Sequence, residues 1–202
     1  MLTDYALAGV AWMLARALRR ANDSRAAALW ALAFGVTGLA ALAGGSVHGF
    51  GAFLPPRLAR VLWVGTVMSV GLGSACLLAG TIFAAVRPGL LRRFLLALCA
   101  FKLAAYLAWV AIHPDFRYAA YDSLPVGLLV LGFLVQRWSR GRSRAAGLGA
   151  GGLLLSIGGA ILQQAKLGIH PVWFNHNDLY HVIQAGALWL LHRAGLELRD
   201  AK

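Results

Sequence analysis

Residues 174–181, with the sequence FNHNDLYH, hold the side chains of this chain that are best suited to chemistry. His176, Asp178 and His181 follow one another closely, directly before the apolar run 182–191. Asp178 and His181 are three residues apart, so on a helix they share one face. Imidazole nitrogens and carboxylate oxygens can bind a metal ion or transfer a proton. Because ionisable groups beside an apolar helix are costly, we expect this segment to form a functional site.

A second group of polar residues, Ser46 and His48, lies near the end of the apolar stretch 26–50. Three neutral imidazoles that leave one position open are a common catalytic zinc arrangement. The sequence therefore predicts His48, His176 and His181 as zinc ligands. His176 and His181 lie about 140° apart on an ideal helix, so we expect His176 to sit before the first turn.

The remaining polar residues are candidates for catalytic roles. A carboxylate, Asp122 or Asp178, would act as base or orient the water whose pKa zinc lowers to about 7. The Ser46 hydroxyl would hold a substrate oxyanion or tune the ligands. Each residue also has a structural interpretation. Both aspartates are potential helix caps, Ser46 could bond back to a helical carbonyl, and His176 could be an interfacial side chain.

Composition places the chain among membrane proteins. Of its 202 residues, 60% are hydrophobic and 13% charged, whereas soluble domains carry about 25% charged residues. The mean hydropathy is +0.69. We therefore predict one polytopic all-α membrane domain over residues 1–202, with Cys76 and Cys99 as buried free thiols. The formal net charge of +12 would indicate nucleic acid binding in a soluble protein. Here we attribute that charge to membrane orientation and expect no nucleic acid partner.

Apolar runs separated by arginine, proline and glycine predict a bundle of seven transmembrane helices. The fifth helix has two possible starts, at Asp115 with a kink at Pro125, or at Ser123 with Asp122 as its N-cap. The other six are predicted over residues 2–18, 26–50, 58–86, 90–112, 145–165 and 177–191.

Basic residues predict the orientation of this bundle. Fourteen lie at the ends that would share one side of the membrane. The opposite ends hold only Arg57, Arg60, Arg117 and Lys166, and Lys102 lies within a span. The positive-inside rule then places the N-terminus outside and the C-terminus in the cytoplasm. The arginine-rich composition favours a bacterial inner membrane, with the polar cluster facing the periplasm.

The helix-2 pair Ser46 and His48, with His176 and His181 of helix 7, resembles the superfamily of alkaline ceramidases and progestin/adiponectin receptors. That resemblance implies zinc bound by one helix-2 and two helix-7 histidines, with a serine and an aspartate nearby and hydrolysis of lipid amides. Asp122 would be the aspartate, although the family takes it from helix 3. The spacings also differ, because the family places each pair four residues apart, against two and five here.

The leading interpretation is a zinc-dependent intramembrane hydrolase that acts on a lipid amide or ester with metal-activated water. Its partners would be membrane lipids and a lipid substrate. One alternative is a redox protein with His48 and His181 as axial haem ligands. Another is a transporter or receptor whose outer polar pocket binds a small solute.

Overall fold

The computed structural model describes residues 2–170 and 173–202, and over these ranges the chain is all-α. Seven helices lie in the described part. They are α1 (Leu2–Ala21), α2 (Arg25–Phe50), α3 (Pro56–Ala85), α4 (Leu90–Ile112), α5 (Phe116–Gly141), α6 (Arg144–Gln164) and α7 (His176–Leu196).

Helix starts follow the local sequence. Ser24 and Ser143 cap α2 and α6 by accepting backbone N–H groups through their hydroxyls. Pro56 occupies the first residue of α3, where its missing N–H costs nothing. Asp115 caps α5 by accepting the N–H of Arg117. The fifth helix therefore has the earlier of its two predicted starts, and Pro125 lies within it.

Five helices, α2 to α6, are long and apolar enough to cross a membrane. The other two, α1 and α7, have 20 and 21 residues, so they do not fall short in length. Among their residues are Asp4, Asp178 and His181, which lower the mean hydropathy. All three are partly or fully buried. These polar side chains therefore face the interior of the bundle.

Helix contacts form a ring. Helix α1 lies between α2 and α7, and the ring continues from α2 through α3, α5 and α6 back to α7. Helix α4 packs mainly on α3 from outside this ring. Because α1 separates α2 from α7 along most of their lengths, side chains of α1 are placed between those of the other two.

The main core lies among α1, α2, α5, α6 and α7, with Trp30 and Phe34 at its centre. Small residues bring α6 and α7 together, since a Cβ at Gly152 would lie 2.8 Å from the carbonyl oxygen of Ala187. A Cβ at Gly149 would lie 2.5 Å from Cβ of Ala194. Glycine at these two positions therefore allows α6 and α7 to pack closely.

The last residues of the chain bind the connection between α1 and α2. Asn22, which is 5% exposed, places its Nδ2 at 3.1, 3.2 and 2.9 Å from the carbonyl oxygens of Gly195, Leu196 and Leu198. Asp200 accepts the N–H of Ala26 at 2.9 Å. These bonds join the C-terminal end of α7 to the C-terminal end of α1.

Candidate functional site

Asp4, in the first turn of α1, is a buried carboxylate with two histidines beside it. The residue is 2% exposed. Gly45 of α2 provides its space, because a Cβ there would lie 2.5 Å from the Asp4 Cβ. His48 Nδ1 of α2 and His181 Nε2 of α7 each lie 3.5 Å from the same atom, Asp4 Oδ1. Three helices therefore converge on one carboxylate oxygen.

These two distances are too long for charge-assisted hydrogen bonds, which measure about 2.7–2.9 Å. They are instead close to the distance between two ligand atoms of one zinc ion. Donors bound to one zinc ion at about 2.0–2.2 Å in a tetrahedron lie about 3.4 Å apart. His181 is 9% exposed, whereas the His48 side chain is 42% exposed. The cluster is therefore buried on the α7 side and accessible on the α2 side.

A hydroxyl group sets the protonation of the His181 ring. Thr3 Oγ1 donates to Asp178 Oδ1 at 2.6 Å and lies 3.3 Å from His181 Nδ1. Since a hydroxyl has only one hydrogen to donate, Thr3 must accept from His181, so the network assigns the proton to Nδ1. The neutral ring then turns an unprotonated Nε2 towards the Asp4 oxygen. In that tautomer Nε2 and Asp4 Oδ1 are both acceptors, so a proton or a metal cation would lie between these two atoms.

Asp178 has two roles. Its Oδ2 accepts the N–H of Asn175 at 3.2 Å in a capping box at the start of α7. Its Oδ1 accepts from Thr3, which contacts His181. Carboxylates placed one step behind a metal-binding histidine fix the ring orientation in this way. The predicted helix cap is therefore present, and the same side chain also orients His181.

Ser46 bonds back to its own helix, as its structural interpretation predicted. Its hydroxyl donates to the Leu42 carbonyl at 2.8 Å, so it accepts from the Tyr5 hydroxyl at 3.2 Å. Ser46 therefore connects α2 to α1 beside the Asp4 cluster, through the residue that follows Asp4. Its remaining lone pair is available to a ligand.

His176 and Asp122 are not brought to this cluster. His176 is the first residue of α7, and its ring has no hydrogen bond, ion pair or ring contact with the described residues. Nor do residues 2–170 and 173–202 contain a group of three or more His, Cys, Asp and Glu side chains that could hold a metal as they stand. The structure thus joins His48 and His181 through Asp4 rather than through His176.

Asp122 belongs to a separate polar centre. Its Oδ1 accepts from Lys102 Nζ of α4 at 2.6 Å, and the same ammonium lies 3.4 Å from Ser74 Oγ of α3. The Asp122 side chain is 6% exposed, and its Oδ2 is buried without a hydrogen-bond partner in the described part of the chain. This ion pair connects α4 to α5 and thus ties the outer helix to the ring.

A cavity of 620 Å³ opens beside His48. It is lined by Trp63 and residues 113–118. The Trp63 ring lies 6.0 Å from that of His48, and its Nε1 donates to the Pro114 carbonyl at 2.7 Å. At the rim Arg117 pairs with the partly exposed Asp115 at 2.7 Å and lowers the pKa of that carboxyl. His113 and Asp115, in the connection between α4 and α5, therefore line a cavity next to the cluster.

Sequence reasoning missed the contribution of α1, namely Thr3, Asp4 and Tyr5. An acid in the first turn of a helix is ordinarily explained by the helix dipole. One signal was available, because Thr3 and Asp4 stand at the same predicted side of the membrane as the histidines. Their depth in the bundle depends on Gly45 and on the position of α1 between α2 and α7.

Fold and site together define a class, an all-α bundle with an aspartate and two histidines buried between its first, second and last helices. Five of its helices are apolar enough to cross a membrane. The chain belongs to a family of unknown function (DUF6962), whose family model matches residues 1–200. No curated protein and no solved structure matches it.

Proposed function

We propose that the chain is an integral membrane hydrolase that uses a zinc ion held by Asp4, His48 and His181 to cleave a lipid amide or ester. The observation that carries the proposal is the meeting of His181 Nε2 and Asp4 Oδ1 as facing acceptors, with His48 on the same oxygen. Two histidines and one carboxylate are a known catalytic zinc set. In this proposal Asp4 replaces the predicted ligand His176.

Among the described residues Asp4, His48 and His181 do not yet form a group that could hold a metal, so zinc binding would require their side chains to rearrange. Two donor spacings of 3.5 Å already match the edge of a zinc tetrahedron, about 3.4 Å. The third spacing, between His48 Nδ1 and His181 Nε2, depends on the orientation of the His48 ring, which can rotate because this side chain is 42% exposed. When bound, zinc would act as a Lewis acid and lower the pKa of water to about 7. Thr3 and Asp178 would hold His181 in the required tautomer, and Tyr5 would fix Ser46.

The substrate would approach from the accessible side of His48. There the cavity beside Trp63 offers aromatic walls for an apolar group and the Arg117 rim for a polar one. A haem between His48 and His181 fits less well, because both rings point at one carboxylate oxygen that occupies the space a porphyrin would need. The cavity alone would also suit a solute receptor, which makes metal content the deciding measurement.

We expect about one zinc per chain in protein purified in mild detergent, by elemental analysis. His48→Ala and His181→Ala should each lose most of it, since two ligands seldom hold zinc firmly. His113→Ala is the matched control, because this exposed ring stacks on Trp109 and not on the cluster. A Soret band in place of zinc would establish the haem alternative, and neither signal would leave the solute pocket.

The membrane orientation is the second part of the proposal. The contacts of Thr3 and Asp4 place the N-terminal end of α1 beside His48 and His181. The arginine-rich C-terminal ends of α1, α3 and α5 lie at the opposite, basic end of the bundle. The positive-inside rule puts that basic end in the cytoplasm and the cluster on the periplasmic side of an inner membrane.

A pair of reporter fusions tests this orientation. A fluorescent protein joined after Lys202 by a flexible linker should fluoresce, because it stays in the cytoplasm. Alkaline phosphatase inserted after Phe53, between α2 and α3, should be active because it is exported. The reverse result for both fusions would invert the bundle and place the cluster in the cytoplasm.

A further inference from the structure

A groove between α1 and α2 runs from the basic end towards the middle of the bundle. We call it the α1–α2 groove; its volume is 440 Å³. Trp12, Arg16 and Arg19 on α1 line it, at spacings of four and three residues that place them on one helix face. Ala28, Leu32 and Gly35 line it on α2, again on one face.

The floor of the groove is apolar and shaped by small residues. A Cβ at Gly35 would meet nothing within 4 Å, so the space above this residue is open. The Trp12 ring closes one end, because its Nε1 donates to the Gly35 carbonyl at 2.9 Å. Gly38 lets this ring lie against α2, since a Cβ there would be 2.5 Å from Trp12 Nε1. The groove is therefore formed in advance and not filled by the protein itself.

The other end of the groove is strongly basic. Arg16 and Arg19 are exposed, and within residues 2–170 and 173–202 neither guanidinium has an ion-pair or hydrogen-bond partner. Seven residues, or about 10 Å of helix, separate Arg19 from Trp12. Two unpaired guanidiniums thus lie at the basic end of the α1–α2 groove, next to its apolar floor. An anionic phospholipid has the complementary arrangement, with a negatively charged phosphate at the membrane surface and an apolar acyl chain below it.

We infer that the α1–α2 groove binds one anionic phospholipid, with its phosphate at Arg16 and Arg19 and part of an acyl chain against Leu32, Gly35 and Trp12. The inference rests on the membrane topology proposed above and not on the metal site. A neutral lipid would fill the apolar floor but leave the two arginines without their counter-charge. The expected property is therefore selection of anionic over zwitterionic lipid.

The test uses the full chain in vesicles of phosphatidylcholine with one fifth phosphatidylglycerol, followed by native mass spectrometry of the released protein. Arg16→Gln/Arg19→Gln should lower retained phosphatidylglycerol about 30-fold, because each arginine near a phosphate contributes about a factor of five. Gly35→Leu should lower it several-fold by filling the groove while both arginines remain. Far-ultraviolet circular dichroism, which measures helix content, checks that each variant is folded.

Two control variants keep the inference falsifiable. Arg87→Gln/Arg93→Gln removes the same charge at the same end away from the groove, and Gly9→Leu adds the same side chain at another open helix position. Both should retain the lipid. Equal loss of retained phosphatidylglycerol in the two double-arginine variants would show general attraction to the basic surface. Unchanged retention by Gly35→Leu would show that no acyl chain enters the groove. Displacement by inorganic phosphate alone would mean that a free anion is the ligand. Each of these results overturns the inference.

Discussion

Asp4→Asn is expected to weaken zinc binding by more than about 100-fold and to abolish hydrolysis. Substitution of partners one step behind a metal ligand already costs 10–100-fold in affinity, so loss of a direct ligand should exceed that range. The amide keeps the shape that fits against Gly45 but lacks the charge that faces both histidines. Chelator competition measures the affinity, and fatty acid release from lipid amides and esters in mixed micelles measures the activity.

Three further variants test whether the loss of zinc is specific to the Asp4 carboxylate. Asp23→Asn removes an exposed carboxylate at the opposite end of α1 and should behave as wild type. Asp4→Glu keeps the charge and should retain part of the zinc. Thr3→Val removes the hydroxyl that orients His181 and should cost about 10–100-fold in affinity. Wild-type zinc content in the Asp4→Asn protein would place the metal elsewhere.

Lys102→Met should destabilise the bundle by about 3–5 kcal/mol, because it leaves the buried Asp122 carboxylate without its cation. For a chain of this size that corresponds to a fall of roughly 6–20 °C in Tm. The double variant Lys102→Met/Asp122→Leu should recover most of the loss, since neither charge remains. Thermal unfolding in detergent measures both.

The same pair of variants settles the role of Asp122. If its function is the ion pair with Lys102, the double variant keeps zinc and hydrolysis close to wild type. If Asp122 instead acts as the general base expected from the sequence, activity should fall by 10²–10⁴-fold with zinc retained. Equal destabilisation in the single and double variants would show that the two side chains do not act as a pair.

Much of the fold could be predicted from the sequence, because apolar runs and the arginine, proline and glycine residues that separate them are local features. All seven predicted helices are present in the described residues, and α4 has the predicted bounds. Helices α1 and α7 continue beyond their predicted ends, to Ala21 and Leu196. Arg19, Arg20 and Arg193 lie in the last turns of these two helices, where the helix dipole stabilises cations, so the helices include them.

The candidate site could be predicted only in part. His48 and His181 stood out because each interrupts an apolar helix, and the structure places both on one carboxylate. That carboxylate, Asp4, could not be chosen over Asp122, because periodicity does not say which helices are neighbours. The order of packing decides it, since α1 lies between α2 and α7 while α5 packs mainly on α3 and α6.

The joining of the first helix to the last has a consequence for biosynthesis. Thr3 and His181 meet across 178 positions of sequence. At about 5–20 residues per second, ribosomes need about 9–36 s to make that length of chain. During this interval the α7 side chain that contacts Thr3 and Asp4 has not yet been made. Nascent chains that stop before α7 therefore leave uncovered the polar residues of α1 that α7 covers in the folded protein.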